Sequence, residues 1–255
     1  MKIDSGTTAI VSGGASGLGE AVARNLAGSG AKVCLFDLNE EKGKALSAEI
    51  DGQYIKVDVS DVESVEDGFK AARAAQGQEN IFVNCAGIGG AMKTVSKGQP
   101  HDFSLYEKVI RVNLMGTFLC ASRAAAGMAE AEPLNEDGER GVIINTASVA
   151  AYDGQIGQVA YSSSKGGIVG MTLPMARDLA ASGVRVMTIA PGIFLTPLLA
   201  GLSDEVQASL GAQVPFPSRL GLPGEYAMLT RSIIENPMLN GEVIRLDGAI
   251  RMAPR

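Results

Sequence analysis

Tyr161 and Lys165 stand four positions apart in the run Tyr161-Ser162-Ser163-Ser164-Lys165. On a helix that spacing puts both side chains on one face, one turn apart. A free phenol has a pKa near ~10 and is a poor base at neutral pH, but an adjacent ammonium stabilises the phenolate. The other tyrosines carry Asp58, Ile110, Ile156 and Thr230 at the fourth position on, so only Tyr161 has this partner. Ser148 precedes Tyr161 by thirteen residues and follows the apolar run GVIINT, which places a hydroxyl at a strand's carboxyl end beside the Tyr helix. Asn113 lies inside a helix-type segment, where an unpartnered amide is unfavourable, so the amide is expected to have a specific task. Each residue alone has an ordinary reading as a buried Tyr, a strand-end Ser or a snorkelling Lys. Together they form a hydroxyl-oxidising device that needs no imidazole. That suits a chain with one histidine, His101, which excludes the HExxH zinc helix and any mechanism with two imidazoles.

A second constellation lies near the N-terminus. Ser12-Gly13-Gly14-Ala15-Ser16-Gly17-Leu18-Gly19 joins a strand-type run to a helix-type one. Glycine at 13, 17 and 19 permits positive φ and removes the Cβ atoms that would hold backbone N–H groups away from a pyrophosphate at the helix N-terminus. Asp37 ends the next strand-type run, eighteen residues beyond Gly19, where a carboxylate can accept both hydroxyls of an adenine ribose. It would repel a 2′-phosphate. The glycine loop holds no Arg or Lys, and Asn39, Glu40 and Glu41 add no cation, so NAD(H) is expected over NADP(H).

These groups must be positioned by an alternation of apolar β-type runs and helix-type stretches. Strands are expected at Thr7–Ser12, Lys32–Asp37, Gln53–Asp58, Ile81–Cys85, Gly141–Thr146, Val184–Ala190 and Glu242–Leu246, and helices near 17–28, 39–50, 61–76, 104–129, 156–182 and 224–235. Several strands alternate little, as strands buried on both faces do. The expected fold is α/β: a single-domain, Rossmann-type, doubly wound parallel sheet of about seven strands spanning 1–255, with function in the loops after the strands. Two connections are longer than such units usually have. The acidic stretch 130–140 is expected to be a solvated surface excursion. Residues 88–103 follow a strand end, and could be the same or could face the site.

Composition narrows the class. With 46% hydrophobic and 20% charged residues the chain can bury a sizeable core, and no apolar run reaches the ~18 residues of a membrane span, so no membrane partner is expected. The three cysteines, Cys34, Cys85 and Cys120, are widely spaced in apolar segments, as buried thiols of a reducing compartment are. With no basic-apolar signal at the N-terminus, a cytoplasmic location is expected. A net charge of −6 gives no sequence-wide footprint for nucleic acid, and none is expected as a partner.

The Gly-x₃-Gly-x-Gly spacing with Tyr-x₃-Lys resembles the short-chain dehydrogenase/reductase family, and the resemblance covers essentially the whole chain. It implies that Tyr161 removes the alcohol proton while hydride passes to the nicotinamide, that Ser148 hydrogen-bonds the substrate oxygen, that Lys165 also holds the nicotinamide ribose, and that Asn113 secures a water relaying the proton. It assigns Ser12, Gly13, Ser16, Gly17, Leu18 and Gly19 to the phosphate loop and Asp58-Val59 to the adenine. Asn84-Cys85-Ala86-Gly87 resembles the family's Asn-Asn-Ala-Gly cofactor wall, with Cys85 replacing the second Asn. Pro191, Gly192, Ile193 and Thr196 match the segment that grips the nicotinamide carboxamide. Longer runs, among them VRVMTIAPGIF and LNGEVIRLDGAIRM, resemble the family's 3-hydroxyacyl-CoA dehydrogenase subgroup. That implies an NAD-dependent homotetramer acting on L-3-hydroxyacyl-CoA, with an acyl-CoA partner. A steroid or other secondary-alcohol dehydrogenase, or a 3-oxoacyl-carrier-protein reductase, is the alternative. On this reading Lys93 and Lys97 help orient the anionic part of CoA, unless they are simply exposed lysines. The segment from Thr196 to Pro217 is then a flap over the acyl chain, or else a helical pair packed on the domain.

Overall fold

The computed structural model describes residues 1–201 and 203–254; Leu202, within the expected flap, lies outside the described residues. Strands β1 (Thr8–Ser12), β2 (Lys32–Asp37), β3 (Gln53–Lys56) and β4 (Ile81–Asn84) come from the first third of the chain. Strands β5 (Val95–Ser96) and β6 (Gln99–Pro100) form a small hairpin, and β7 (Gly141–Thr146), β8 (Val184–Pro191) and β9 (Val243–Leu246) follow. Apart from the hairpin they make one seven-stranded sheet in the order β3-β2-β1-β4-β7-β8-β9, with every pairing parallel. The order reverses direction between β1 and β4, so the carboxyl ends of those strands open a crevice on which the glycine loop and the Asn84–Gly87 segment converge. The strands expected from apolar runs are all present. β1, β4, β7 and β8 are buried along their full length, while the edge strand β9 is half-buried and β3 is exposed at both ends.

Helices cover both faces. Against one lie α1 (Gly17–Gly28), α2 (Glu40–Glu49) and α9 (Pro223–Glu235), where Val22, Leu26, Leu46, Tyr226 and Ile233 pack on Val11, Leu35 and Ile144. Against the other lie α3 (Val62–Gln76), α5 (Gly116–Glu130) and α6 (Val159–Asp178), which bring Phe69, Ala124 and Met175 onto Phe36, Phe82 and Ile143. Asn39 and Asp61 cap α2 and α3 by accepting the N–H groups of Lys42 and Ser64, which fixes where each crossover helix begins.

Three features depart from the sequence expectation. The long helix expected over 104–129 is interrupted: α4 (Phe103–Ile110) passes into a π-helical turn, Arg111–Met115, before α5. Residues 88–103 carry the β5–β6 hairpin, turned at Lys97 and Gly98, both at positive φ (50° and 75°). The stretch 130–140 is exposed over 132–137 but turns inward at Glu139, which is 6% exposed. There Glu139 meets buried Arg185 of β8 at 2.8 Å, and Arg185 in turn donates to the carbonyls of Ile233 and Ile234 in the last turn of α9 and of Leu239 beyond it. Only the tip of this stretch is therefore a solvated excursion, and its base ties β8 to α9. The segment 196–217 contains two short helices, α7 (Pro197–Ala200) and α8 (Asp204–Gly211), and is exposed over most of its described length.

Candidate active site

The glycine loop is shaped by close approaches at two glycines. Gly13 has φ +63°, and a Cβ there would lie 2.6 Å from the backbone nitrogen of Ala86, so the loop rests directly on the β4 exit. A Cβ on Gly19 would lie 2.2 Å from the carbonyl oxygen of Gly13, which only a glycine in the first turn of α1 avoids. Ser16, the N-cap of α1, makes no side-chain cap hydrogen bond. The first N–H groups of α1, on Gly17, Leu18 and Gly19, thus face the crevice without a capping side chain, and the helix dipole favours an anion beside them. Asp37 leaves β2 with Oδ2 accepting the N–H of Ala15 at 3.0 Å and Oδ1 accepting that of Asn39 at 2.9 Å. Each oxygen keeps acceptor capacity for a further donor.

Ser12 is fully buried, and its hydroxyl donates to Asn84 Oδ1 at 3.2 Å. Asn84 Nδ2 donates in turn to Asn145 Oδ1 (2.9 Å) and the carbonyl of Thr117 (3.2 Å), stitching β1, β4, β7 and α5 together. Asp58 Oδ1 accepts from the backbone and hydroxyl of Ser60, and Val59 beside it is buried. Cys85 turns its thiol inward, and burial pushes it up to about 11. Its side chain therefore stands among core groups where the resemblance suggested cofactor contact. Ala86 and Gly87 carry the wall onward. Pro191 ends β8, and a Cβ on Gly192 would lie 2.9 Å from Cα of Asp247. Ile193 and Thr196 are half-buried and follow at the same end of the sheet.

At the C-terminal ends of β7 and β8 the four expected catalytic residues come together. Ser148 lies two residues past β7; its Oγ accepts the N–H of Ala150 at 3.1 Å and neighbours the Tyr161 phenol. Lys165 is 4% exposed, with Nζ donating to the carbonyl of Thr146 at 2.7 Å and standing 5.7 Å from the centre of the Tyr161 ring. Burial lowers the Lys165 ammonium to about 8. Among the protein's own groups, burial raises the Tyr161 phenol above its ordinary value and the neighbouring Ser148 hydroxyl pulls it part of the way back. A further positive charge close to Tyr161 is needed to make the phenol a base at neutral pH.

Asn113 is fully buried in the π-helical turn. Its Oδ1 accepts the N–H of Ile88 at 2.8 Å, and its Nδ2 donates to the carbonyl of Ile88 (2.9 Å) and to Ser164 Oγ (3.1 Å). These bonds give the amide partners inside the helix, and the π-helical winding accompanies them. Ser164 relays the connection to the Tyr161 carbonyl at 2.7 Å. The Asn113 carbonyl accepts the Thr117 hydroxyl. A Cβ on Gly87 would fall 3.3 Å from Asn113 Oδ1 and 3.7 Å from Lys165 Nζ, so this glycine lets the two approach. The sequence reading missed Thr146, Ser164 and Ile88, which work through carbonyls or neighbouring side chains. Ser164, three residues after Tyr161, carried the one available local signal.

A Gly-rich strand-to-helix turn, a strand-ending acid and a Ser, Tyr and Lys cluster at the carboxyl ends of one parallel sheet are the marks of an oxidoreductase of the Rossmann type. The family model described as short chain dehydrogenase matches residues 7–207, and the chain belongs to that family. It is 54% identical over 253 residues to the 3-hydroxyacyl-CoA dehydrogenase type-2 of Homo sapiens, covering 98% of this chain and 97% of that protein. The protein of the same name from Drosophila melanogaster is 50% identical over 249 residues, covering 96% and 97%. The crystal structure of 3-hydroxyacyl-CoA dehydrogenase type-2 from Mycobacterium avium superposes with a TM-score of 0.94 at 44% identity, covering 98% of each chain.

Proposed function

We propose that this chain is an NAD-dependent dehydrogenase that interconverts L-3-hydroxyacyl-CoA and 3-ketoacyl-CoA. The observation that carries the reaction type is the Ser148–Tyr161–Lys165 cluster at the strand ends; the full-length similarity to 3-hydroxyacyl-CoA dehydrogenases carries the substrate class. When bound, NAD+ would supply the hydride acceptor and a positively charged nicotinamide ring. The residues fit it: uncapped N–H groups on Gly17, Leu18 and Gly19 suit a pyrophosphate, with Ser12, Gly13 and Ser16 shaping the turn. Asp37 suits a ribose diol, Asp58 and Val59 an adenine, Ala86 and Gly87 the wall, and Pro191, Gly192, Ile193 and Thr196 the carboxamide. For Cys85 the inward thiol supports a backbone role only.

In oxidation Ser148 donates a hydrogen bond to the substrate oxygen and Tyr161 takes its proton. Lys165 holds the phenolate by charge and orients the nicotinamide ribose. Asn113 braces the Ile88 backbone and Ser164, and the proton leaves through Lys165 toward solvent. Lys93 and Lys97, both exposed on the hairpin loop, attract the phosphates of CoA, and 196–217 acts as the flap over the acyl chain. The carrier-protein reductase alternative fits less well, because the negative charge of Asp37 at the end of β2 disfavours a 2′-phosphate.

A homotetramer is part of this reading. Met115 and Phe118 are 57% and 53% exposed, and Leu173 on α6 is 43% exposed, apolar side chains that a second copy would cover. No helix among the described residues is long and apolar enough to cross a membrane, and three free thiols suit the cytoplasm.

The test is NADH oxidation with acetoacetyl-CoA by the wild type beside Tyr161→Phe. The reading expects turnover by the wild type and near silence from the variant. Equal rates would remove Tyr161 as the base, and turnover of a steroid with no turnover of any acyl-CoA would move the reading to a secondary-alcohol dehydrogenase.

A further inference from the structure

Behind Lys165 lies a set of buried polar groups that the proposed reaction does not use. Tyr226 of α9 is completely buried, and its hydroxyl lies 2.7 Å from Thr146 Oγ1. Thr146 Oγ1 also hydrogen-bonds the carbonyl oxygen of Asn84 and lies 3.7 Å from Cys85 Sγ. A threonine hydroxyl has one proton, and a carbonyl can only accept. The Thr146 proton therefore goes to Asn84, and at the Tyr226 contact the phenol is the donor. Burial holds the Tyr226 hydroxyl well above its ordinary pKa, so it keeps the proton it donates.

The residue that receives this bond is a junction. Its own carbonyl accepts the Lys165 ammonium at 2.7 Å. Its hydroxyl ties it to the exit of β4, from which Cys85, Ala86 and Gly87 continue. Ser148 follows two positions later. Packing alone would be served by Phe at 226, since a buried hydroxyl must be matched by a partner to avoid a desolvation cost. We propose that Tyr226 is a positioning residue: by donating to Thr146 it fixes the strand end from which Lys165 and Ser148 take their places around Tyr161. It touches no reacting group and acts through Thr146, with the Cys85 thiol as a further neighbour of its hydroxyl. Loss of its bond lets the Thr146 carbonyl shift, Lys165 loses its fixed acceptor, and the ammonium no longer stands where it best stabilises the Tyr161 phenolate.

The inference rests on the proposed function for its activity readout, and a second readout is independent of substrate. Tyr226→Phe, Thr146→Val, Thr146→Ser and the double Tyr226→Phe/Thr146→Val are compared with the wild type. For each, kcat and KM are measured with acetoacetyl-CoA, together with NADH affinity and thermal melting. Phenolate ionisation is followed by near-ultraviolet absorbance in the NAD+ complex, with Tyr161→Phe identifying the contribution of Tyr161. Tyr226→Phe is expected to lower kcat by about 10-fold with KM nearly unchanged, and to move Tyr161 ionisation upward by about one pH unit. Thr146→Ser keeps the hydroxyl and stays near wild type, Thr146→Val reproduces the Tyr226→Phe effect, and the double variant is no worse than either single one.

A lowered melting temperature with unmoved kcat and unmoved phenolate titration overturns the proposal, as does a double variant in which the two losses multiply. If Tyr226→Phe fails to fold, Thr146→Val decides: wild-type kcat and titration there overturn it. A wild type that ignores every 3-oxoacyl thioester counts against the proposed function, while the phenolate titration still judges the role of Tyr226.

Discussion

Asp37 Oδ2 accepts the backbone N–H of Ala15 at 3.0 Å, so the carboxylate proposed to read the adenine ribose also braces the loop proposed to hold the pyrophosphate. Replacing it therefore does two things at once. Asp37→Ala removes a charge-assisted bond to the loop and the acceptor for the ribose, and hydrogen bonds to charged groups contribute about 1.5–3 kcal/mol each. The expected outcome is a rise in KM for NAD+ of roughly 10- to 100-fold, with a relative gain for NADP+ as the repulsion of a 2′-phosphate disappears. Steady-state kinetics with both dinucleotides checks it. An unchanged NAD+/NADP+ ratio would mean that the charge at position 37 does not set the preference.

Gly19 gives the sharpest steric prediction. A Cβ would stand 2.2 Å from the Gly13 carbonyl oxygen, with Gly14 Cα only 3.1 Å away. The obstacle is backbone, so no side-chain rotation relieves it. Gly19→Ala is expected to displace the loop, destabilise the fold by about 1–3 kcal/mol, and weaken NADH binding more than it weakens folding. Fluorescence titration with NADH beside a denaturant melt separates the two effects.

The parallel sheet and the glycine loop were legible because strands buried on both faces read as apolar runs, and because Gly13, Gly19 and Asp37 lie at fixed distances along the chain. The Ser148, Tyr161 and Lys165 cluster was legible for the same reason. The break at Asn113 was not: the π-helical turn goes with bonds to Ile88, 25 residues back, and to Ser164, 51 residues on. Glu139 read as part of an acidic loop because its partner Arg185 is 46 residues away. Tyr226 reaches Thr146 across 80 residues, and its helix-type surroundings gave no sign of it. The hairpin at 95–100 has strands of only two residues each, too short for any alternation to show.

The Glu139–Arg185 contact predicts that the base of the acidic stretch matters for stability and not for chemistry. Both side chains are under 10% exposed, and removing one partner of a buried ion pair costs about 3–5 kcal/mol. Arg185→Ala also takes the donor from the carbonyls of Ile233 and Leu239, while Ile234 and Glu139 keep the Met1 ammonium. Its melting temperature is expected to fall by roughly 6–20 °C, while kcat measured at low temperature stays within a factor of about two. A melting temperature equal to that of the wild type would mean that the pair is dispensable.

CoA recognition by the hairpin loop gives a test with a built-in control. Lys93 and Lys97 are exposed, so their charge is expected to act on encounter and orientation and not on the hydride step. Lys93→Glu/Lys97→Glu is expected to raise KM for acetoacetyl-CoA several-fold at low salt, less at high salt, and to leave KM for a simple ketone without CoA unchanged. An unchanged KM for acetoacetyl-CoA would remove the two lysines from substrate binding.

Lys165 carries a cost that catalysis requires and folding does not. Burial lowers its pKa from 10.5 to about 8, so the ammonium is less favourable in the folded chain than in the unfolded one. Below pH 8 the residue is protonated in both states and the full penalty is present, on the order of 3 kcal/mol. Between pH 8 and 10.5 the folded chain releases its proton first. Over that window the unfolded state binds more protons, and stability rises with pH. Above 10.5 both states are neutral and the penalty is gone. Lys165→Met keeps the aliphatic length and removes the charge. It is expected to melt higher than the wild type at pH 7 and to lose its catalytic activity. The gap in stability should narrow as the pH is raised from 8 to 10.5. Denaturant melts of both proteins at pH 7 and pH 10 measure this directly, and a gap that stays constant across the window would show that the Lys165 ammonium is not penalised by burial.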